Sequence, residues 1–150
     1  MINKGIILAG GLGTRLSPIT KSVSKQLLPV YDKPLIFYPL SVLMLCNIKN
    51  ILIIVKKGEK KNFQAALGDS RDLGINLEFK EQIKPTGIPE AFIIGEKFIN
   101  RNSVALILGD NFFYGQGLTE ILKRNFTLKN GSRIFTYPIN DPHNFGIVEK

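Results

Sequence analysis

Short apolar runs alternate with amphipathic stretches along most of this 150-residue chain. Five runs have the length and composition of β-strands, and because they are apolar throughout they are typical of strands buried on both faces. The predicted strands span residues 5–9, 51–55, 77–79, 104–108 and 134–137. The last residues, 145–150, have the pattern of a further strand that has just begun.

Helical patterns lie between the predicted strands. Residues 35–46 are predicted to form a mostly buried helix, and residues 59–67 a short amphipathic one. Apolar positions also recur at helical spacing within 88–99 and 118–126. Strands that alternate with helices in this way indicate an α/β fold, with a mainly parallel sheet and helices on both of its faces.

Polar or glycine-rich segments follow four of the predicted strands. They are 10–16 (GGLGTRL), 56–57 (KK), 81–82 (EQ) with 85–87 (PTG), and 109–111 (GDN). Since ligands bind beyond the carboxyl ends of the strands in open parallel sheets, we expect these segments to meet at one edge. The glycines of 10–13 leave backbone N–H groups free to approach phosphate oxygens, and Arg15 can clamp a phosphate with two hydrogen bonds.

Basic residues are unevenly distributed along the chain. The formal net charge is +8; residues 1–61 hold ten basic residues against two acidic ones, whereas residues 62–150 hold ten of each. This excess suits a polyanionic ligand such as a nucleoside triphosphate or a nucleic acid, and it also fits a solvated basic face.

The sequence excludes several classes of site. No Gly-x-x-x-x-Gly-Lys-Ser/Thr loop is present, and Leu16 replaces the third glycine of the dinucleotide-binding motif. Cys46 and His143 are the single cysteine and histidine, so neither an internal disulfide nor a zinc site can form. No signal peptide or membrane-spanning apolar stretch is visible, and we therefore expect a soluble, cytoplasmic protein.

The strand-end segments belong to a longer series of motifs. These are 10–16 (GGLGTRL), 24–29 (SKQLLP), 31–34 (YDKP), 38–41 (YPLS), 108–111 (LGDN) and 113–115 (FYG). At this spacing the series resembles the signature of the sugar nucleotidylyltransferases and, among them, of the glucose-1-phosphate thymidylyltransferase family. The resemblance runs through all 150 residues and implies a Rossmann-like nucleotidyltransferase fold.

The resemblance also implies an activity and its residues. The activity is Mg²⁺-dependent transfer of a nucleotidyl group from dTTP to glucose 1-phosphate, which gives dTDP-glucose and pyrophosphate for deoxysugar, rhamnose and cell-surface polysaccharide precursors. Arg15 and Lys25 are the implied catalytic residues. Asp110 is the implied ligand of the Mg²⁺ cofactor, and Gly146 is expected to approach the sugar. The implied nucleotide-binding residues are Gly10, Gly11, Gly13, Thr14, Arg15, Gln26, Gln82 and Gly87.

On this resemblance, residues 1–150 are interpreted as one nucleotidyltransferase domain, the nucleotide-binding half of a longer enzyme that continues beyond them. A Glu-Lys pair at the sugar phosphate and a second metal-binding aspartate of full-length members are expected outside these residues. Full-length members assemble as tetramers, so we expect a homo-oligomer. The positions that depart from residues common in the family are Thr86, Pro89 and Glu90 in the base-binding segment and Phe145 beside the sugar site.

Three alternative interpretations stay open. The alternatives to a thymidylyltransferase are a non-catalytic nucleotide-binding or assembly fragment of such an enzyme, a sister enzyme that uses UTP or GTP, and a nucleic-acid-binding module. The positive charge supports the last of these. However, no RNA- or DNA-binding signature is visible and the aromatic residues fall mainly in apolar runs, so we expect neither a nucleic acid nor a membrane partner.

Overall fold

A four-stranded parallel sheet forms the centre of the computed structural model, which describes residues 2–126, 128, 130–143 and 146–148. The strands in chain order are β1 (Lys4–Ala9), β2 (Pro29–Val30), β3 (Lys33–Pro34), β4 (Asn50–Lys56), β5 (Asn76–Gln82) and β6 (Val104–Leu108). The sheet has the order β5-β4-β1-β6, and β2 and β3 pair separately as a short antiparallel hairpin. The predicted parallel sheet is therefore confirmed.

Both faces of the central strands are buried, as their continuous apolar runs predict. Along β1 and β4 successive side chains alternate between two hydrophobic clusters. Ile7, Ile53 and Val55 belong to the larger cluster, whereas Ile6 and Ile54 belong to the smaller one on the opposite face. Because both faces of the sheet are covered, we expect a ligand to bind beyond the carboxyl ends of its strands.

Helices cover both faces of the sheet, as predicted. They are α1 (Phe37–Leu45), α2 (Lys60–Leu67), α3 (Glu90–Ile94), α4 (Glu96–Ile99) and α5 (Leu118–Asn125), with 3₁₀ helices at Thr14–Leu16, Ile19–Lys21 and Lys25–Leu27. Helices α1, α2 and α5 pack in the larger cluster, and α3 and α4 in the smaller one. Within the described ranges, none of these helices is long and apolar enough to cross a membrane.

The helix predicted over 88–99 is divided into α3 and α4 at Gly95. A Cβ atom at this position would lie 2.9 Å from Ile6 Cδ1 and 2.8 Å from the carbonyl oxygen of Ala91. Glycine therefore lets the backbone press against the sheet, and its low helix propensity favours the break. The periodicity predicted the buried positions Ala91 and Phe98 correctly, but Ile88 and Phe92 of the same predicted face are exposed, and the interruption was missed.

Two of the predicted strands are not borne out. The run 134–137 forms no strand, and Ile134, Phe135 and Tyr137 are exposed. The prediction was wrong because an apolar run becomes a strand only when a neighbour satisfies its backbone groups, and no described strand pairs with it. Of the run 145–150, residues 146–148 are not in a strand, and positions 145, 149 and 150 lie outside the described residues.

Candidate active site

An open cleft of about 310 Å³ lies beyond the carboxyl ends of β1 and β6. Its lining comes from three separate stretches of sequence, which confirms that the glycine-rich and aspartate-containing segments meet at one sheet edge. The lining residues are Gly11, Gly13, Thr14, Arg15, Leu16, Lys25, Gln26 and Asp110. Seven of the eleven residues singled out from the sequence line the cleft, namely Gly11, Gly13, Thr14, Arg15, Lys25, Gln26 and Asp110.

The glycine-rich loop passes directly from β1 into the first 3₁₀ helix. The carbonyl oxygen of Gly13 accepts hydrogen bonds from Thr20 Oγ1 at 2.8 Å and from the Leu16 amide at 3.0 Å. These bonds hold the loop against the following segment. Arg15 is exposed at the cleft, and across the described part of the chain its guanidinium makes no hydrogen bond or ion pair. Its donors are therefore available to an anion.

Lys25 and Asp110 form an ion pair in the cleft, with Lys25 Nζ 3.0 Å from Asp110 Oδ2. The pair joins residues 85 positions apart in the sequence. Lys25 is the first residue of a 3₁₀ helix. Asp110 follows Gly109, the residue after β6, whose amide donates a hydrogen bond to the Leu8 carbonyl at 2.9 Å. The side chains stay 32% and 36% exposed, so a ligand can reach both of them.

The carboxylate of Asp110 has the chemistry of a Mg²⁺ ligand. Within the described residues, no group of three or more histidine, cysteine, aspartate or glutamate side chains could hold an ion alone. Mg²⁺ commonly takes one or two protein carboxylates and completes its coordination with water and substrate phosphates. One accessible carboxylate beside an open cleft fits that arrangement, and a closed all-protein site does not.

Gln26 contributes a buried polar group to the same cleft. The residue is 3% exposed, and its Oε1 is enclosed without a hydrogen-bond partner among the described residues. An enclosed acceptor left unpaired costs about 1–3 kcal/mol. Because Gln26 lines the cleft, a ligand that brings a donor group would satisfy this oxygen.

Gln82 is buried beside the glycine-rich loop, at 3% exposure. Its Nε2 donates to Glu90 Oε2 at 2.5 Å. Its Oε1 occupies the space that a Cβ atom at position 10 would fill, since such an atom would lie 2.1 Å from it. Gly10 is thus required by close approach, and Gln82 lies next to the loop although it does not line the cleft.

The segment between β5 and α3 adds contacts that sequence reasoning missed. Glu90 also accepts from the Thr86 amide and hydroxyl, and these bonds, with the Gln82 bond, hold the pKa of the Glu90 carboxyl below its usual value. The available signal was the departure of Thr86 and Glu90 from common family residues. Gly87 lies exposed on this segment.

The structure does not bring Gly146 into the cleft. Gly146 lines a different hollow, whose other walls include Phe135, Tyr137 and Pro142. Its expected approach to the sugar therefore stays a prediction. Phe145, the neighbouring position that departs from the family pattern, lies outside the described residues.

Comparison with known proteins agrees with this architecture. A family model described as nucleotidyl transferase matches residues 4–150. A glucose-1-phosphate thymidylyltransferase of Neisseria gonorrhoeae is 57% identical over 146 residues, which are 97% of this chain and 51% of that protein. The chain spans about half the length of the curated relatives it matches.

Solved structures show the same fold. A candidate glucose-1-phosphate thymidylyltransferase of Bacillus anthracis, in complex with sucrose, aligns with a TM-score of 0.74 at 38% identity and covers 83% of this chain and 50% of that one. A UDP-glucose pyrophosphorylase complexed with UDP-glucose aligns with a TM-score of 0.66 at 26% identity, covering 85% and 54%. The resemblance and fold inferred from the sequence are confirmed.

We predict that Gly10→Ala destabilises the protein and Gly11→Ala does not. The new Cβ at position 10 would displace the buried Gln82 amide, whereas one at position 11 would meet no atom within 4 Å. Forced displacement in a packed site costs about 1–3 kcal/mol. Denaturant unfolding measures the change, with Gly11→Ala as the matched control. Equal stability of the two variants would contradict the close contact between Gly10 and Gln82.

Proposed function

The chain belongs to the nucleotidyl transferase family, and on that premise we propose that it binds dTTP in the cleft for transfer of the nucleotidyl group to glucose 1-phosphate. The observation that carries this proposal is the convergence of the glycine-rich loop, Arg15, Lys25 and Asp110 on one opening. The names of the relatives point to the same nucleotide and sugar phosphate. The whole reaction is proposed for the full-length protein.

The triphosphate is assigned to the loop of residues 10–15. Backbone N–H groups at Gly11, Gly13 and Thr14 suit phosphate oxygens, because the glycines put no side chain in their way. Arg15 adds a planar fork of donors that can hold two oxygens of one phosphate. The basic excess in residues 1–61 favours the approach of the polyanion by long-range attraction.

Lys25 and Asp110 are assigned to the reacting phosphates and to Mg²⁺. When bound by Asp110, Mg²⁺ would neutralise negative charge on the triphosphate. Lys25 is held at the carboxylate by the ion pair, so its ammonium group lies at the same place as the proposed metal ligand. If Asp110 held a metal ion, Lys25 would be free to pair with a phosphate oxygen.

Gln82, Gly87 and Gln26 are assigned to the nucleoside. The carbonyl oxygen of Gln82 accepts from the ring N–H of thymine, and the Gly87 amide donates to a neighbouring carbonyl of the base. The enclosed Gln26 oxygen lacks a donor within the described structure, and a sugar hydroxyl of the nucleoside can supply one. These contacts favour thymine or uracil over the purines because they match hydrogen bonds on one pyrimidine edge.

The proposed step is a displacement at phosphorus. An oxygen of the sugar 1-phosphate attacks the α-phosphorus, a new P–O bond forms, and the bond to the oxygen bridging to the β-phosphorus breaks as pyrophosphate leaves. The nucleophile is already an anion, so no general base is required. The chain's task is to hold two polyanions in line, which Arg15 and Lys25 serve by charge and position.

The remaining assignments concern the second substrate and assembly. We place the sugar near Gly146 on the family resemblance alone, because Gly146 lines a separate hollow and not the cleft. A homo-oligomer, a tetramer in the full-length form, and a cytoplasmic location belong to the same proposal.

The direct test is a nucleotide-binding series with Mg²⁺ present. We expect dTTP and UTP to bind at least about tenfold more tightly than ATP and GTP, the effect of one mismatched buried hydrogen bond. Isothermal titration calorimetry gives the four dissociation constants. Equal affinity for all four nucleotides would show recognition of phosphates alone and refute the base assignment.

For Asp110→Asn we predict the loss of metal-stimulated nucleotide binding with little loss of stability. A pair this exposed contributes about 0–1 kcal/mol to folding. Mg²⁺ should strengthen dTTP binding to the native chain at least about tenfold and to the variant less than about twofold. Asp69→Asn, which alters the surface pair between Asp69 and Arg71, is the control and should respond like the native chain. A variant that keeps the full Mg²⁺ effect would remove Asp110 from the metal site.

Replacing Arg15 with lysine tests the planar fork apart from its charge. We predict about tenfold weaker dTTP binding and an unchanged unfolding midpoint, because the exposed guanidinium contacts no described partner. Titration and thermal unfolding measure the two quantities. Arg71→Lys is the matched control, since Arg71 pairs with Asp69 outside the cleft. If Arg15→Lys mainly lowers the unfolding midpoint, the residue has a structural role.

A further inference from the structure

One carboxylate oxygen near the end of β5 accepts three hydrogen bonds. Glu90 Oε2 accepts hydrogen bonds from Gln82 Nε2 at 2.5 Å, from the Thr86 amide at 3.0 Å and from Thr86 Oγ1 at 2.6 Å. Lys80, on the same face of β5, donates to the Ile94 carbonyl at 2.8 Å and fixes the other end of α3. Helix α3 is therefore held at both ends, and Glu90 at its start is fixed by Gln82 and Thr86.

This arrangement determines which way the Gln82 amide points. An ionised carboxylate accepts hydrogen bonds and has none to donate. The Gln82 amide must turn its NH₂ group toward Glu90, and its carbonyl oxygen then lies against Gly10 at the start of the glycine-rich loop. The hydrogen bonds from Thr86 and Gln82 lower the pKa of Glu90, which keeps the carboxylate ionised into the acidic range.

The direction of an amide decides which pyrimidine it matches. Thymine and uracil carry an N–H donor at ring position 3, whereas the same ring nitrogen of cytosine is an acceptor. A carbonyl oxygen presented to the base pairs with the first kind and repels the second. An NH₂ group presented there has the opposite preference. A side chain free to turn over would accept both bases.

We propose that Glu90 is a specificity-determining positioning residue, which fixes Gln82 with its acceptor toward the base and so selects thymine or uracil over cytosine. The inference rests on the proposed function, since it requires a nucleotide base beside Gln82. A glutamine at position 90 would be less selective. Its own amide can offer either an oxygen or an NH₂ group, so both orientations of Gln82 would then be satisfied.

The test compares the ratio of the dissociation constants for dCTP and dTTP in native chain, Glu90→Gln and Glu96→Gln, at constant Mg²⁺. Glu96 is the exposed first residue of the neighbouring helix α4, so its variant makes the same chemical change away from Gln82. We expect a ratio of at least about tenfold in the native chain, a fall of at least about fivefold in Glu90→Gln, and no change beyond about twofold in Glu96→Gln.

The ratio separates orientation from simple damage. A folding defect weakens both nucleotides alike and leaves their ratio unchanged, so circular dichroism and thermal unfolding accompany each titration. Glu90→Ala, which removes the acceptor altogether, is a second variant with the same expected direction. On a Gln82→Ala background Glu90→Gln should no longer alter the ratio, because a residue that acts through Gln82 has nothing left to orient.

Each outcome has one meaning. A native chain that prefers dTTP to dCTP and loses this preference in the Glu90 variants supports the inference. A native preference that survives in both folded Glu90 variants overturns the role of Glu90 and leaves the proposed function standing. A native chain that binds dTTP no better than ATP overturns the proposed function, and the inference with it.

Discussion

Parallel hydrogen bonding of β1 to both β4 and β6 is the constraint from which the cleft follows. Leu8 pairs with Ile54 on one side and Leu108 on the other, so the chain segments after β1 and β6 leave the sheet side by side. The Gly109 amide extends this pairing by donating to the Leu8 carbonyl. The glycine-rich loop and Asp110 therefore emerge at one edge, whatever ligand they serve.

Charge is concentrated in the opening that this pairing creates. Arg15 offers unpaired donors within the described structure, and Lys25 and Asp110 neutralise each other across the cleft. The exposed pair adds little to folding, so separating its two side chains costs little. The cleft is thus more suited to binding than to stabilising the fold. By contrast, Gln26 is a buried residue of the cleft lining, and Gln82 is buried beside the glycine-rich loop.

The sequence predicts features that local pattern and topology control. Apolar runs located β1, β4, β5 and β6, and the alternation with helices predicted their parallel arrangement. Contacts between distant residues were harder to foresee: the helix break at Gly95 comes from packing on Ile6, and the Lys25–Asp110 pair joins residues 85 positions apart. The strand predicted over 134–137 was wrong because strand propensity is realised only through pairing with a partner strand. The Glu90–Gln82 bond links two elements whose relative position no periodicity reveals.

The most direct measurement is a titration of the ¹⁵N-labelled chain with dTTP and Mg²⁺, followed by the shifts of its backbone amides. We expect the largest changes at Gly11, Gly13 and Thr14 in the glycine-rich loop, with further changes at Lys25 and at Gln82. Amides in α5, none of whose residues lines the cleft, should change little. Chemical-shift changes confined to the hollow that includes Phe135 and Tyr137 would contradict a nucleotide site at the carboxyl end of β1.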